Sequence, residues 1–259
     1  MTSLSIKQKA QQYVVLTGMA LFIGLLVGAI DMIFGQGLLL IGDFRSQHWP
    51  LIVFLALAGL VIVYLYKRFG GKASKGMGLI FDVGHAREEK IPLVLVPLIM
   101  LTTWMSHLFG GSVGREGVAV QIGATLSHRF ARHIKIPDAS RIFLMTGMAA
   151  GFAGLFQTPL AATFFALEVL TVGELQLMAL YPALIASIMA SFTSHALGLE
   201  KFAVPLRETL SWTPETLIKV ALLGLAFGLA GKLFAVSLSW LKKTVAQALP
   251  NPYIRIALI

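Results

Sequence analysis

The sequence predicts an all-helical, polytopic membrane protein whose helices are broken. Composition is the first observation: 57% of residues are hydrophobic and 13% charged, with a mean hydropathy of +0.81. Soluble domains carry about 25% charged residues. The second is a succession of apolar runs, at 13–34, 49–66, 91–109, 116–131, 141–156, 178–197 and 214–240, with short pieces near 77–84 and 159–170. The third is their irregularity. A crossing takes roughly 20 apolar residues, yet several runs are shorter and glycine and proline interrupt them. Broken helices at membrane depth are tolerated only where they are buried in protein or line a cavity.

Each end of the chain adds to this. The opening MTSLSIKQKAQQ is polar and mildly basic, and the apolar run after it is too long for a signal-peptide core. With the N-terminus placed in the cytoplasm, fourteen basic residues fall inside, among them Lys7, Lys9, Lys67, Arg68, Arg129, Arg132 and Lys243. Three fall outside: Arg45, Lys201 and Arg207. That asymmetry predicts the orientation and accounts for most of the net charge of +9. No soluble basic domain remains to bind nucleic acid. With no cysteine, there is neither a disulfide framework nor a thiolate site.

LFIGLLVGAI (21–30) and ALLGLAFGLA (221–230) share G-x-x-x-G and each opens a run after a polar stretch. Close packing is the usual service of Gly24, Gly28, Gly224 and Gly228. The likeness also places the start of a second structural repeat near residue 214. The expected organisation is a membrane repeat over 1–213 and a truncated second one over 214–259, stopping in NPYIRIALI as another span begins.

GGSVGREGVAVQIG (110–123) sets Arg115 and Glu116 among glycines, in a chain read as otherwise keeping charge out of apolar runs. The residues after Glu116 predict a helix ending on the basic stretch from His128 to Lys135. Glu116 therefore stands at a helix N-terminus, where free N–H groups and the positive dipole end receive anions. Two readings follow: Glu116 caps its helix while Arg115 reaches the surface, or Glu116 competes with a mobile anion and cycles a proton. GGKASKGMGLIFD (70–82) has the same shape, with a short helix beginning near Met77. It is either a glycine-rich cytoplasmic bend or a second broken helix aimed at the same anion path.

These stretches resemble the CLC family of chloride channels and proton-coupled antiporters. GGSVGREGVAVQIGATL is similar to its G-x-x-G-R-E-G-P motif, KGMGLIFD falls at its G-S-G-I-P motif, and MTGMAAGFAGLFQTPLAATFFALEVL (145–170) follows its third, in the family's order. The resemblance covers essentially all of this chain but little more than the N-terminal half of a typical member. It implies a CLC-type inverted-repeat fold, present as the first repeat plus the start of the second. Met77 replaces the family's serine and Val118 its proline, and that methionine resembles the bacterial fluoride-exporting branch.

The implied function is fluoride/proton antiport across the bacterial inner membrane. Glu116 would be the gating, proton-carrying glutamate, and Met77, Gly78, Arg115, Gly117 and Val118 would line the anion path. Glu168 aligns with the first of two family glutamates and is structural or a proton relay, while Val169 stands where the internal proton acceptor would be. Implied partners are fluoride or chloride, protons, the bilayer, a second copy meeting the 178–197 span, and a complementary C-terminal half. The alternatives are a chloride channel or antiporter, or a transport-inactive fragment awaiting that half.

No cofactor or metal is expected. Asp82, His85 and Glu89 have helix-like spacing but sit in a turn carrying both signs of charge. His128 and His133 are assigned to the basic cluster, and His107 has no assigned role. An enzyme is excluded because Glu116 and Glu168 are the acids found in apolar runs, too few for a catalytic cluster.

Overall fold

The computed structural model describes residues 6–171, 173–200 and 211–258. Among them the secondary structure is helical throughout. The principal helices are α1 (Ile6–Gln47), α2 (Leu55–Leu65), α3 (Met77–Gly84), α4 (Leu95–Leu108), α5 (Glu116–Ala131), α6 (Ala139–Phe156), α7 (Pro159–Glu168), α8 (Leu180–Ala196), α9 (Pro214–Ala248) and α10 (Pro252–Leu258). Contacts divide the chain into two units, Met1–Lys201 and Phe202–Ile259. Lys201 and Arg207, expected outside the membrane, lie outside the described residues.

In the first unit α6 is the central helix. Most of its side chains are fully buried, from Phe143 through Ala153, because α1, α5, α7 and α8 surround it. Small residues let these backbones approach. A Cβ on Gly123 would overlap the Gly147 carbonyl oxygen, one on Gly151 would overlap that of Ala119, and Gly147 faces Gly123 in return. The α1–α8 contact is built likewise: Cβ atoms on Gly24 and Gly28 would lie 2.7 Å and 2.5 Å from the carbonyl oxygens of Ala186 and Ala190. Packing of small residues substitutes here for the hydrophobic drive that lipid cannot supply. Around Gly224 and Gly228 the space is open, so the expected packing role does not hold for that pair among the described residues.

The helix α1 runs 42 residues, well past the predicted end at residue 34. Gly35 and Gly37 look like a break, but each is filled by a partner: Leu199 lies against Gly35 and the Trp104 ring against Gly37. Trp104 Nε1 also donates to the Phe34 carbonyl at 3.1 Å. Tertiary contact outweighs low helix propensity there. Among the described residues five helical stretches are long and apolar enough to cross a membrane: 10–47, 49–84, 139–156, 177–196 and 214–248. Runs 91–109 and 116–131 form the shorter helices α4 and α5.

One expectation about charge is overturned. Asp31, inside the apolar run of α1, is fully buried, and neither carboxylate oxygen has a hydrogen-bond partner. Its Oδ2 occupies the space a side chain on Gly154 of α6 would need. A single acid among many apolar neighbours barely lowers local hydropathy, so the sequence hides it.

In the second unit, the long helix α9 starts on a Thr213 cap, whose side chain accepts from the Thr216 N–H at 3.2 Å. Pro214 occupies the first helical position, where its missing N–H costs nothing. The α9 side chains are almost all exposed.

Candidate anion site

The site forms where two helices begin. At the first, Gly76 has φ +55°, a conformation that favours glycine, and turns the chain so that α3 starts at Met77. The Leu79 N–H closes back on the Gly76 carbonyl at 3.0 Å. Met77 is partly buried against the core, with Gly78 exposed beside it. At the second, α5 starts at Glu116 with Arg115 as the N-cap residue, and no side chain caps its first turn. Helix geometry leaves those first N–H groups without intrahelical acceptors.

The Glu116 side chain is exposed and folds over Gly114, where a Cβ would come 2.7 Å from its Oε2. Arg115 does not simply reach for the surface: its guanidinium stands 5.4 Å from the centre of the Phe156 ring, at the end of α6, in a cation–π contact. Gly117 is exposed, whereas the Val118 side chain is buried in the core.

Gln121 joins the two helix starts, and sequence reasoning missed it. Its Nε2 donates to the Gly117 carbonyl at 2.9 Å. Its Oε1 is buried without a partner and lies 3.5 Å from where a Gly76 Cβ would stand. The Gly117 carbonyl sets which way the amide points, since reversing it would oppose two oxygens. A signal existed: four residues after Gly117, Gln121 shares its face.

The remaining candidates lie apart from this junction. Glu168 is the last residue of α7 and is exposed. Asp82 pairs with Lys75 at 3.1 Å, and Glu88 binds Lys72 at 2.6 Å and Lys75 at 3.3 Å. His85 and His107 turn Nδ1 to the carbonyls of Phe81 and Thr103. His128 departs from the basic-cluster assignment: it is buried, with Nε2 3.1 Å from the Glu89 carbonyl and Nδ1 3.3 Å from Ser140 Oγ. It ties α5 to the turn before α4 and to the start of α6.

The family model described as voltage gated chloride channel matches residues 58–259. The chain belongs to this CLC family. Among curated relatives, the CLC chain is 35% identical over 216 residues to a chloride/fluoride channel protein of Pseudomonas syringae pv. tomato. That alignment covers 83% of this chain and 48% of the relative. A voltage-gated ClC-type chloride channel of Salmonella typhimurium is 28% identical over 179 residues, covering 69% of this chain and 38% of the relative. The chain thus spans about half the length of the first of these and less of the second.

Among solved structures, a CLC-type fluoride/proton antiporter superposes with a TM-score of 0.92 at 44% identity, covering 99% of this chain and 64% of its own. A slow cyanobacterial Cl⁻/H⁺ antiporter superposes at 0.78 with 21% identity, covering 94% and 61%; that likeness shows the fold alone. The all-helical CLC architecture expected from the motifs is the one observed.

Proposed function

We propose that this CLC chain supplies the N-terminal part of a fluoride/proton antiporter, with Glu116 as the gating and proton-carrying group and Met77, Gly78, Arg115, Gly117 and Val118 along the anion path. The observation that carries the reading is the meeting of two uncapped helix starts at Gln121, one bearing Glu116 and the other Met77. Their N–H groups form a concentration of positive partial charge, beside an Arg115 guanidinium that is engaged with the Phe156 ring. An anion can therefore enter and leave. Glu116, an anion on its own helix start, competes with it and vacates the position on taking a proton. Val118 contributes its N–H and not its buried side chain.

Fluoride is favoured over chloride by similarity to the fluoride/proton antiporter and by Met77, which stands where the chloride members carry serine and resembles the fluoride-exporting branch. Transport belongs to an assembly that includes the remaining length carried by the relatives. The setting is a bacterial inner membrane with the N-terminus inside. A second copy is assigned to the outer face of α8, where Ile188 and Phe192 are exposed. Glu168, exposed at the end of α7, is assigned a structural role.

The test is reconstitution of the chain together with a segment matching the relatives' remaining length into liposomes, with fluoride and chloride efflux followed by ion electrodes alongside internal pH. Fluoride efflux with opposing proton movement is the expected result. Chloride efflux without fluoride preference would replace this reading with the chloride-conducting one.

A further inference from the structure

At the N-terminal end of α1, the first turns meet the loop that follows α5 and enclose an open groove of about 450 Å³. Gln8, Gln11 and Gln12 form one wall, His133 and Lys135 the other, and Val15 closes the end. This volume falls within the range of small-molecule sites, about 300–1,000 Å³. The loop is built to present its polar side chains. Ile134 and Ile136 pack into the cluster of Ala20, Ile23 and Phe143, which leaves His133 and Lys135 exposed.

In sequence, the segments that line the groove are flanked mainly by basic residues, with Asp138 two positions beyond Ile136. The sequence has no Asp or Glu before Asp31, and none between Glu116 and Asp138. Lys7 lies just before the groove in sequence, and Arg129 and Arg132 just before its loop. Among the described residues the ion pairs involve Lys72, Lys75 and Lys219, none of them here. A polar groove rich in donors, flanked in sequence by cations that form no ion pair among the described residues, fits a phosphate.

The groove also has an apolar continuation. Val15, Met19 and Phe22 follow one another along the same face of α1 at helical spacing, with Phe22 45% exposed. Phe22 meets the Phe130 ring edge-on at 5.1 Å. The stretch of α1 that is long and apolar enough to cross a membrane begins at Ala10, so the groove lies at the start of that stretch and the strip runs on into it.

We propose that this groove binds an anionic membrane phospholipid: the phosphate is held by Lys135, His133 and the Gln11 and Gln12 amides, and an acyl chain lies along Val15, Met19 and Phe22. Basic pockets between membrane helices recognise anionic headgroups in this way, each nearby cation contributing about 1 kcal/mol, or roughly fivefold in affinity. The site is independent of the anion path.

Purified chain in dodecylmaltoside micelles, titrated with phosphatidylglycerol and read by native mass spectrometry, tests this without any transport assay. Retention of phosphatidylglycerol but not phosphatidylcholine is expected. Lys135→Gln should weaken it roughly fivefold, and Lys135→Arg should restore it. Lys243→Gln, in the other unit, should leave it unchanged. Lys135 is exposed, so the variants should elute as the wild type does. Equal retention of phosphatidylcholine, or wild-type retention by Lys135→Gln, would overturn the proposal. So would displacement of the lipid by inorganic phosphate at matched concentration, which would make this a site for free phosphate.

Discussion

At the scale of single residues, the site depends on side chains with unusual freedom. The N-cap residue Arg115 makes no capping bond, and the Glu116 carboxylate rests over Gly114 at the helix start, free to turn about its side-chain bonds. Glu116→Gln, which keeps shape and removes titration, is expected to retain anion flux in liposomes while proton movement falls to background. A glutamate serving only its helix would leave coupling intact. Met77→Ser places at the α3 start the residue the chloride members carry and should move the fluoride-to-chloride flux ratio toward chloride, as measured by paired ion electrodes. Much of this was legible in the sequence, because Glu116 and Met77 lie in glycine-punctuated motifs where local pattern determines local structure. Gln121 and Asp31 were not. Their importance comes from what stands across from them, Gly76 in one case and Gly154 in the other, and a linear pattern carries no such information.

Among the elements, glycines decide which helices touch. Gly123→Ala pushes a methyl into the backbone of α6 and should cost about 1–3 kcal/mol, or more if the helices part. Gly228→Ala, on the open face of α9, should instead stabilise by about 0.5–1 kcal/mol through helix propensity. Denaturation in detergent micelles should show the opposite signs. Both glycines sit in glycine-rich apolar sequence, so composition does not distinguish them. The turn between α3 and α4 is held electrostatically: Lys72 and then Lys75 donate to Glu88 and hold its carboxyl below the usual range. A carboxyl lowered by folding contributes stability above its unfolded value, about 4.3, and loses it as pH falls through the folded value. The melting difference between wild type and Glu88→Gln should therefore be present at pH 7 and vanish in acid. It should also shrink in high salt, because the lysines are exposed.

For the whole molecule, the helix starts at Met77, Glu116 and Pro159 follow from glycine and proline signals, and the three motifs give the family. The course of α1 to Gln47 does not follow, since the glycines that suggest its end are buttressed by Leu199 and Trp104. The chain spans 64% of the fluoride/proton antiporter it resembles, and α9 is exposed along most of its length. Co-reconstitution with a segment matching the relatives' remaining length should therefore raise fluoride efflux over this chain alone, measured in the same liposomes. The contact between α5 and α6 bears on how fast such a transporter can cycle. With carbonyl oxygens set into glycine hollows on both sides, the pair is closely packed, and sliding or rocking of packed helices ordinarily takes microseconds to milliseconds. What stays free at the α5 start is a carboxylate on rotatable bonds, and exposed side chains change rotamer in picoseconds to nanoseconds. Under the proposed gating role of Glu116, the gate would belong to that fast regime, and the turnover limit would fall to proton delivery and to the rest of the assembly.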